Sequence, residues 1–383
     1  MFDTLFSTPA AISATDSHAW LREMLRVEAA LARAGAAAGL IPPDRAAEIE
    51  AACLPERFDA ADLSRQAVAS ASPVVPLVAE LRARVPEPTR RLVHLGATSQ
   101  DVMDTTLVLV SRRCLVPLLD DLWALGDRLA ELADRHRDTV QIGRTLLQQA
   151  VPTSFGLVCA GWLAGVAEAA SGLARARDRL PLQYGGAVGA HDALGAHGPR
   201  MATALGEILG LPVPALPWHT RRGPVVDLGT ALGAVCGALA TIATGVVLLA
   251  QNEVAEVTEG APGGSSAMPH KRNPALCTLV IACAHQAPGA VATILASQPV
   301  ELQRSAGRWQ AEWPSVTSLL RLTAAAARHA RTAADSLRVD AARMRATVAG
   351  QASGTQTTDP PGVPEAAGQL IDHALEAYRA ARP

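Results

Sequence analysis

The sequence predicts an all-α protein built around a bundle of long helices, and three observations point there. Apolar residues make up 49% of the 383 residues while aromatics make up only 3%, and alanine and leucine supply most of the apolar share. Good helix formers therefore dominate, and the β-branched and aromatic residues of strands are sparse. Apolar positions recur at three- and four-residue spacing, as in Trp20, Met24, Val27 and Leu31, the stripe of an amphipathic helix. Finally, residues 145–167, 228–252 and 273–300 contain no Asp, Glu, Lys or Arg. A helix that is apolar all round has to be buried all round.

Element by element, Asp16 or Thr15 is placed to cap the first clear helix, and Gly39 with Pro42-Pro43 ends it. A more polar helical segment follows over about 44–53, and VVPLVAELRARV forms another. The stretch RRLVHLGATSQDVMDTTLVL then turns on small residues and opens a long helix. LGTALGAVCGALATIATGVVLLAQN, residues 228–252, is long enough to span a membrane. It is rich in Ala, Gly and Thr and lacks aromatic belts, so burial in protein is the expected reading. One chain of this size can hardly surround several such helices, which implies an obligate oligomer. GQASGTQTTDPPGVPE, 350–365, reads as a loop before a last helix over 366–381.

Several function classes fall away at this level. A net charge of −2 argues against electrostatic binding to nucleic acid or a membrane surface. Cys53, Cys114, Cys159, Cys236, Cys277 and Cys283 are scattered without CxxC or zinc spacing, as buried thiols of a reducing compartment are. The histidines show no metal-ligand spacing, and no cofactor is called for. The N-terminus MFDTLFSTPA lacks a basic region followed by an apolar core, so the expected location is the cytoplasm.

Three stretches carry chemistry. GGSSAMPHKRNP, 263–274, joins two flexible glycines to Ser265 and Ser266, then Lys271 and Asn273. Lys271 could hold the Ser265 hydroxyl near the alkoxide, and the Asn273 amide could bind a carboxylate; alternatively the glycines and serines are turn chemistry alone. In HLGATSQDVMDT, 94–105, Thr98 and Ser99 precede a helix with Asp101 and Asp104 in its first turns. This reads either as an ordinary N-cap or as a carboxylate site at a helix N-terminus. GRTLLQQAVPTSFG, 143–156, offers Arg144, Thr145 and Gln148.

Together these stretches resemble the fumarase/aspartase superfamily, whose signature GSSxMPxKxNP is matched by Gly264, Ser265, Ser266, Met268, Pro269, Lys271, Asn273 and Pro274. The resemblance implies Ser265 as the catalytic base, Lys271 and Asn273 holding a substrate carboxylate, and Thr98 and Ser99 in a substrate-binding region. Arg144 and Gln148 match that family's GRTHxQ region, but Leu146 stands where the proton-donating histidine is expected. A leucine transfers no proton, so the leaving or attacking group should be a stable anion. A carboxylate, with a pKa of roughly 4, fits. Within the superfamily the chain resembles the 3-carboxy-cis,cis-muconate cycloisomerases most, through EAALARAGAAAGLIP, VHLGATSQDVMDTTLVL, QYGGAVGA, PWHT and RSAGRWQAEW over most of residues 5–345.

That resemblance implies lactonisation of 3-carboxy-cis,cis-muconate to 4-carboxymuconolactone in the protocatechuate branch of β-ketoadipate catabolism, with Ser265 shuttling a proton. Cations expected at the tricarboxylate are Lys271, Arg144 and Arg304, with Arg222 a weaker candidate; Ser266, His94 and His219 complete the substrate-binding set, and His270 is a loop contact. It also implies a homotetramer with each site shared among subunits. The expected domains are 1–92, a helical N-terminal domain, 93–345, a central long-helix domain, and 346–383, a shortened C-terminal helical segment. Against the APGKGGSS-type loop that the resemblance implies, the pre-signature stretch TEGAPGGSS is shorter and lacks the lysine. A C–N or C–O lyase acting on a succinate-type substrate is the alternative, and a non-catalytic relative such as a lens crystallin the third reading.

Overall fold

The computed structural model describes residues 2–260, 263–264, 266–268, 270–352 and 362–383. Seven helices come first: α1 (Asp3–Phe6), α2 (Pro9–Thr15), α3 (Ser17–Ala37), α4 (Pro43–Ala52), α5 (Ala60–Gln66), α6 (Val74–Ala83) and α7 (Glu87–Arg90). The long elements follow: α8 (Ser99–Arg135), β1 (Val140–Thr145), β2 (Gln148–Ser154), α9 (Phe155–Asp178), α10 (Gly198–Leu209) and α11 (Gly223–Leu249). Then come β3 (Val257–Thr258), α12 (Ala275–Ala296), α13 (Arg308–Ser336), β4 (Arg338–Val339), α14 (Ala341–Ala352) and α15 (Ala366–Ala381). The all-α expectation holds, with two small antiparallel ribbons, β1–β2 and β3–β4, added at one end.

Local chemistry sets the boundaries. Of the two candidate caps it is Asp16 that starts α3, its carboxylate accepting from the Ala19 amide at 2.7 Å, while the Thr15 hydroxyl turns back to Ala11 O inside α2. Gly39, at φ +75°, closes the far end. The segment 145–167 is not one helix, however. Residues up to Ser154 form the second arm of a hairpin, and the Ser154 hydroxyl then caps α9 by accepting from Leu157 N at 3.1 Å. The hairpin turn is Leu146-Leu147, both at positive φ (+51° and +65°). Two-residue hairpins favour such a turn because its twist matches the strands, although Asn-Gly is its usual occupant.

Five helices make the bundle. Trp309 at the start of α13 bonds Asp104 at the start of α8, and Arg128 near the end of α8 bonds Ala334 near the end of α13. These two therefore run parallel. Arg222, just before α11, meets the same Asp104, so α11 runs with them, while α9 and α12 run the other way. Gly156 lets α9 leave the hairpin against α8, since a Cβ there would lie 2.5 Å from Ala133 O. Helix α15 packs on α8 and α9, its Tyr378 hydroxyl donating to Asp127 Oδ1 at 2.7 Å and lying 2.9 Å from Trp123 O, over the bare backbone of Gly126.

Helices α9, α11 and α12 are long and apolar enough to cross a membrane by length and composition. In this chain alone they are incompletely covered: only 22% of the most apolar window of α12 is buried.

Candidate active site

The sequence-predicted residues gather in three places, and the bundle holds those places apart. The first is the N-terminus of α8. His94 sits at φ +65° in the turn before it, with Nδ1 2.6 Å from Oε1 of Glu28, a carboxylate fully buried on α3. Burial alone would push the His94 pKa down; the Glu28 charge and hydrogen bond outweigh it and hold the imidazole above its usual value. Gly96 (φ +66°) brings this turn under Tyr184 and Leu194, where a Cβ would fall 2.7 and 2.5 Å from their side chains. Thr98 is the N-cap and Ser99 the first helical residue.

Asp101, buried one turn in, joins three segments. Its Oδ2 accepts from the Thr98 amide at 3.0 Å and the Gly186 amide at 2.9 Å, and its Oδ1 lies 2.7 Å from Nε2 of buried His219. Arg304 reaches the same turn, donating to Ala187 O at 2.7 Å. His94, Thr98, Ser99, His219 and Arg304 are thus brought together.

Arg222 is not available to a substrate. It is buried, its guanidinium pairs with Asp104 at 2.7 Å and Glu312 at 2.6 Å, and it lies over the Trp218 ring. Burial opposes its charge, but the two carboxylates more than compensate and raise its pKa. The weaker candidate among the expected cations is therefore a core ion pair, with every donor turned inward.

The second place is the β1–β2 hairpin. Arg144 makes a forked pair with the fully buried Glu256, at 2.7 and 3.1 Å, and Gln141 donates to the same carboxylate at 2.9 Å. Burial raises the Glu256 pKa, but these bonds win and hold it below the usual range. Gln148 is exposed at the tip beside Leu146, which is 95% exposed.

The third place is the signature loop. Gly263 and Asn273 exchange both backbone hydrogen bonds at 2.9 Å, closing a neck below it. The Asn273 side-chain amide donates across that neck to Gly264 O at 3.2 Å. Ser266, His270 and Lys271 are exposed on the loop; Ser265 lies outside the described residues. Just behind it, Glu259 accepts from the Leu276 and Cys277 amides at 3.2 and 2.8 Å, so the N-terminus of α12 already holds a carboxylate.

The first place sits at the start of α11 and the other two beyond its end, where Glu256 N bonds Leu249 O. At 1.5 Å per residue, α11 separates them by about 40 Å. A cavity of about 770 Å³ between α3 and α13, walled by Trp20, Met24, Trp313 and Arg321, is lined by none of the predicted site residues. Sequence reading missed Glu28 and Glu256 as partners. Glu28 had a signal, since it falls on the buried stripe of α3 four residues after Met24 and three before Leu31.

The chain is similar to known proteins in sequence and in fold. A family model described as "Lyase" matches residues 11–289. The 3-carboxy-cis,cis-muconate cycloisomerase of Pseudomonas aeruginosa is 43% identical over 352 residues, covering 90% of this chain and 77% of that one. The nitrosuccinate lyase of Streptomyces davaonensis is 42% identical over 353 residues, covering 88% and 74%. In structure, the 3-carboxy-cis,cis-muconate lactonizing enzyme of Pseudomonas putida superposes with a TM-score of 0.86 at 37% identity, covering all of this chain and 88% of that one. The chain belongs to the lyase family of the fumarase/aspartase superfamily, whose members are enzymes acting on small molecules.

Proposed function

We propose that the protein is a 3-carboxy-cis,cis-muconate cycloisomerase of the protocatechuate branch of aromatic catabolism, working in the cytoplasm as a homotetramer whose sites are each shared among subunits. A carboxylate oxygen of the substrate adds to the ring-closing carbon, one carbon–carbon double bond is consumed, and the neighbouring carbon takes up a proton through an aci-carboxylate species. Ser265 delivers that proton. Lys271, Asn273 and Ser266 hold the carboxylate that becomes the aci-carboxylate, where a fixed cation stabilises developing charge. Thr98 and Ser99 at the N-terminus of α8 receive a second carboxylate, with His94, His219, Arg144, Gln148 and Arg304 completing the cradle.

The observation that carries this reading is Leu146. It occupies the tip of the hairpin where the resemblance calls for a proton donor, and it has none to give. A carboxylate nucleophile needs none. The roughly 40 Å between the first place and the other two supports sharing among subunits, as does the uncovered apolar surface of α12. We divide the chain as 1–92, 93–345 and 346–383.

Leu146 also admits a second reading, which the similarity to a nitrosuccinate lyase favours. A nitro group departs as nitrite, another stable anion, with no acid required. The test is direct. Loss of the ultraviolet absorbance of 3-carboxy-cis,cis-muconate on adding enzyme, abolished in Ser265→Ala, is the expected result. No lactonisation, with fumarate and nitrite released from nitrosuccinate, would replace the first reading by the second.

A further inference from the structure

We propose that Asp101 is a positioning residue of this site, acting through His219, an inference that rests on the functional reading above. Its two oxygens do different work. Oδ2 takes two backbone donors, Thr98 N and Gly186 N, which ties the start of α8 to the 185–190 turn. Oδ1 is left for His219 Nε2 alone.

A carboxylate only accepts, so Nε2 carries a proton, and Nδ1 is the ring nitrogen that Asp101 leaves open. Nδ1 faces the 185–190 turn, where a Cβ placed on Gly189 would lie 3.4 Å from it. The ring is further held by its own backbone, because His219 O accepts from Gln100 Nε2 at 3.0 Å on α8. Asp101 is 2% and His219 4% exposed, so water does not compete for the bond. The same turn presents Ala187 O to Arg304. One carboxylate therefore sets both the tautomer of His219 and the shape of the turn on which Arg304 is seated.

Asp101→Asn separates these two jobs. Its amide oxygen can keep both backbone donors, while its NH2 group meets Nε2 and forces the proton to Nδ1. The expected result is a fall in kcat of roughly 100-fold with KM changed less than about threefold and the thermal midpoint held within about 3 °C. His219→Ala should fall similarly, and the double variant no further than the worse single one, because both remove the same function.

A kcat within twofold of wild type in Asp101→Asn, a loss confined to KM, or losses that multiply in the double variant would each overturn the proposal. Should Asp101→Asn fail to fold, His219→Gln, whose amide can still donate to Asp101, decides alone: wild-type kcat in it overturns the idea. The cycle is run on whichever substrate the wild-type enzyme converts, the muconate or nitrosuccinate. Absence of lactonisation thus sinks the functional reading and leaves the coupling of Asp101 to His219 measurable.

Discussion

His94 holds a backbone conformation that costs a non-glycine residue roughly 1 kcal/mol, and the buried Glu28 carboxylate is what keeps it there. Because the contact raises the His94 pKa in the folded protein, its stabilisation is whole below the unfolded value of about 6.5 and is lost as pH rises through the folded one. Urea denaturation of wild type and His94→Gln should show a stability gap widest near pH 5.5 that narrows towards pH 9; a gap that grows with pH would contradict the pairing. Lys271 offers a simpler test. Lys271→Ala should lower kcat/KM by about 100-fold or more, as loss of a charge-stabilising group does, with little change in thermal midpoint because the side chain is exposed. The signature that names Lys271 was legible as a string of letters. The pairing of Arg144 with Glu256 was not, because the two lie 112 positions apart and local pattern carries no trace of which carboxylate folds back on which arginine.

At the scale of elements, α3 and α15 are legible in the sequence: Asp16 and Gly39 bound α3, and the helix expected over 366–381 has the bounds of α15. The loop expected from 350 starts too early, since α14 runs through Ala352 and 353–361 lie outside the described residues. The hairpin escaped for a physical reason. Its second arm, QQAVPTS, does not alternate polar and apolar residues, and its turn is two leucines where Asn-Gly would have announced it. Such an element is held by its surroundings, by the Arg144–Glu256 fork and by α14 packed on β1, more than by its own propensities. Glu259 shows the same dependence at α12. Glu259→Ala should lower the unfolding free energy by about 1–2 kcal/mol, since two helix-start amides, the buried Cys277 N and the half-buried Leu276 N, lose their acceptor. Urea titration reads this directly, and an unchanged midpoint would mean that water replaces the carboxylate.

For the whole molecule, the separation of the three places along α11 makes an arithmetical prediction. Chains carrying Arg304→Ala and chains carrying Ser265→Ala should each be nearly inactive. Unfolded together in equal amounts and refolded, they should recover roughly a quarter of wild-type activity, because a site drawing its two ends from different chains is intact in one combination of four. No recovery in a correctly assembled mixture would place both ends in one chain. Light scattering should give a mass four times the 39.7 kDa of the chain, and a monomer would remove the shared-site reading.

The turn at Leu146-Leu147 has a practical corollary. A leucine with 95% of its surface open, followed by one with 70%, is a sticky point on any chain kept from its companions, and the bare side of α12 adds to it. Variants meant to yield a tidy soluble monomer should instead precipitate on concentration. Replacing the pair with Asn-Gly, which suits the turn and removes both side chains, is the change to make before attempting to purify one.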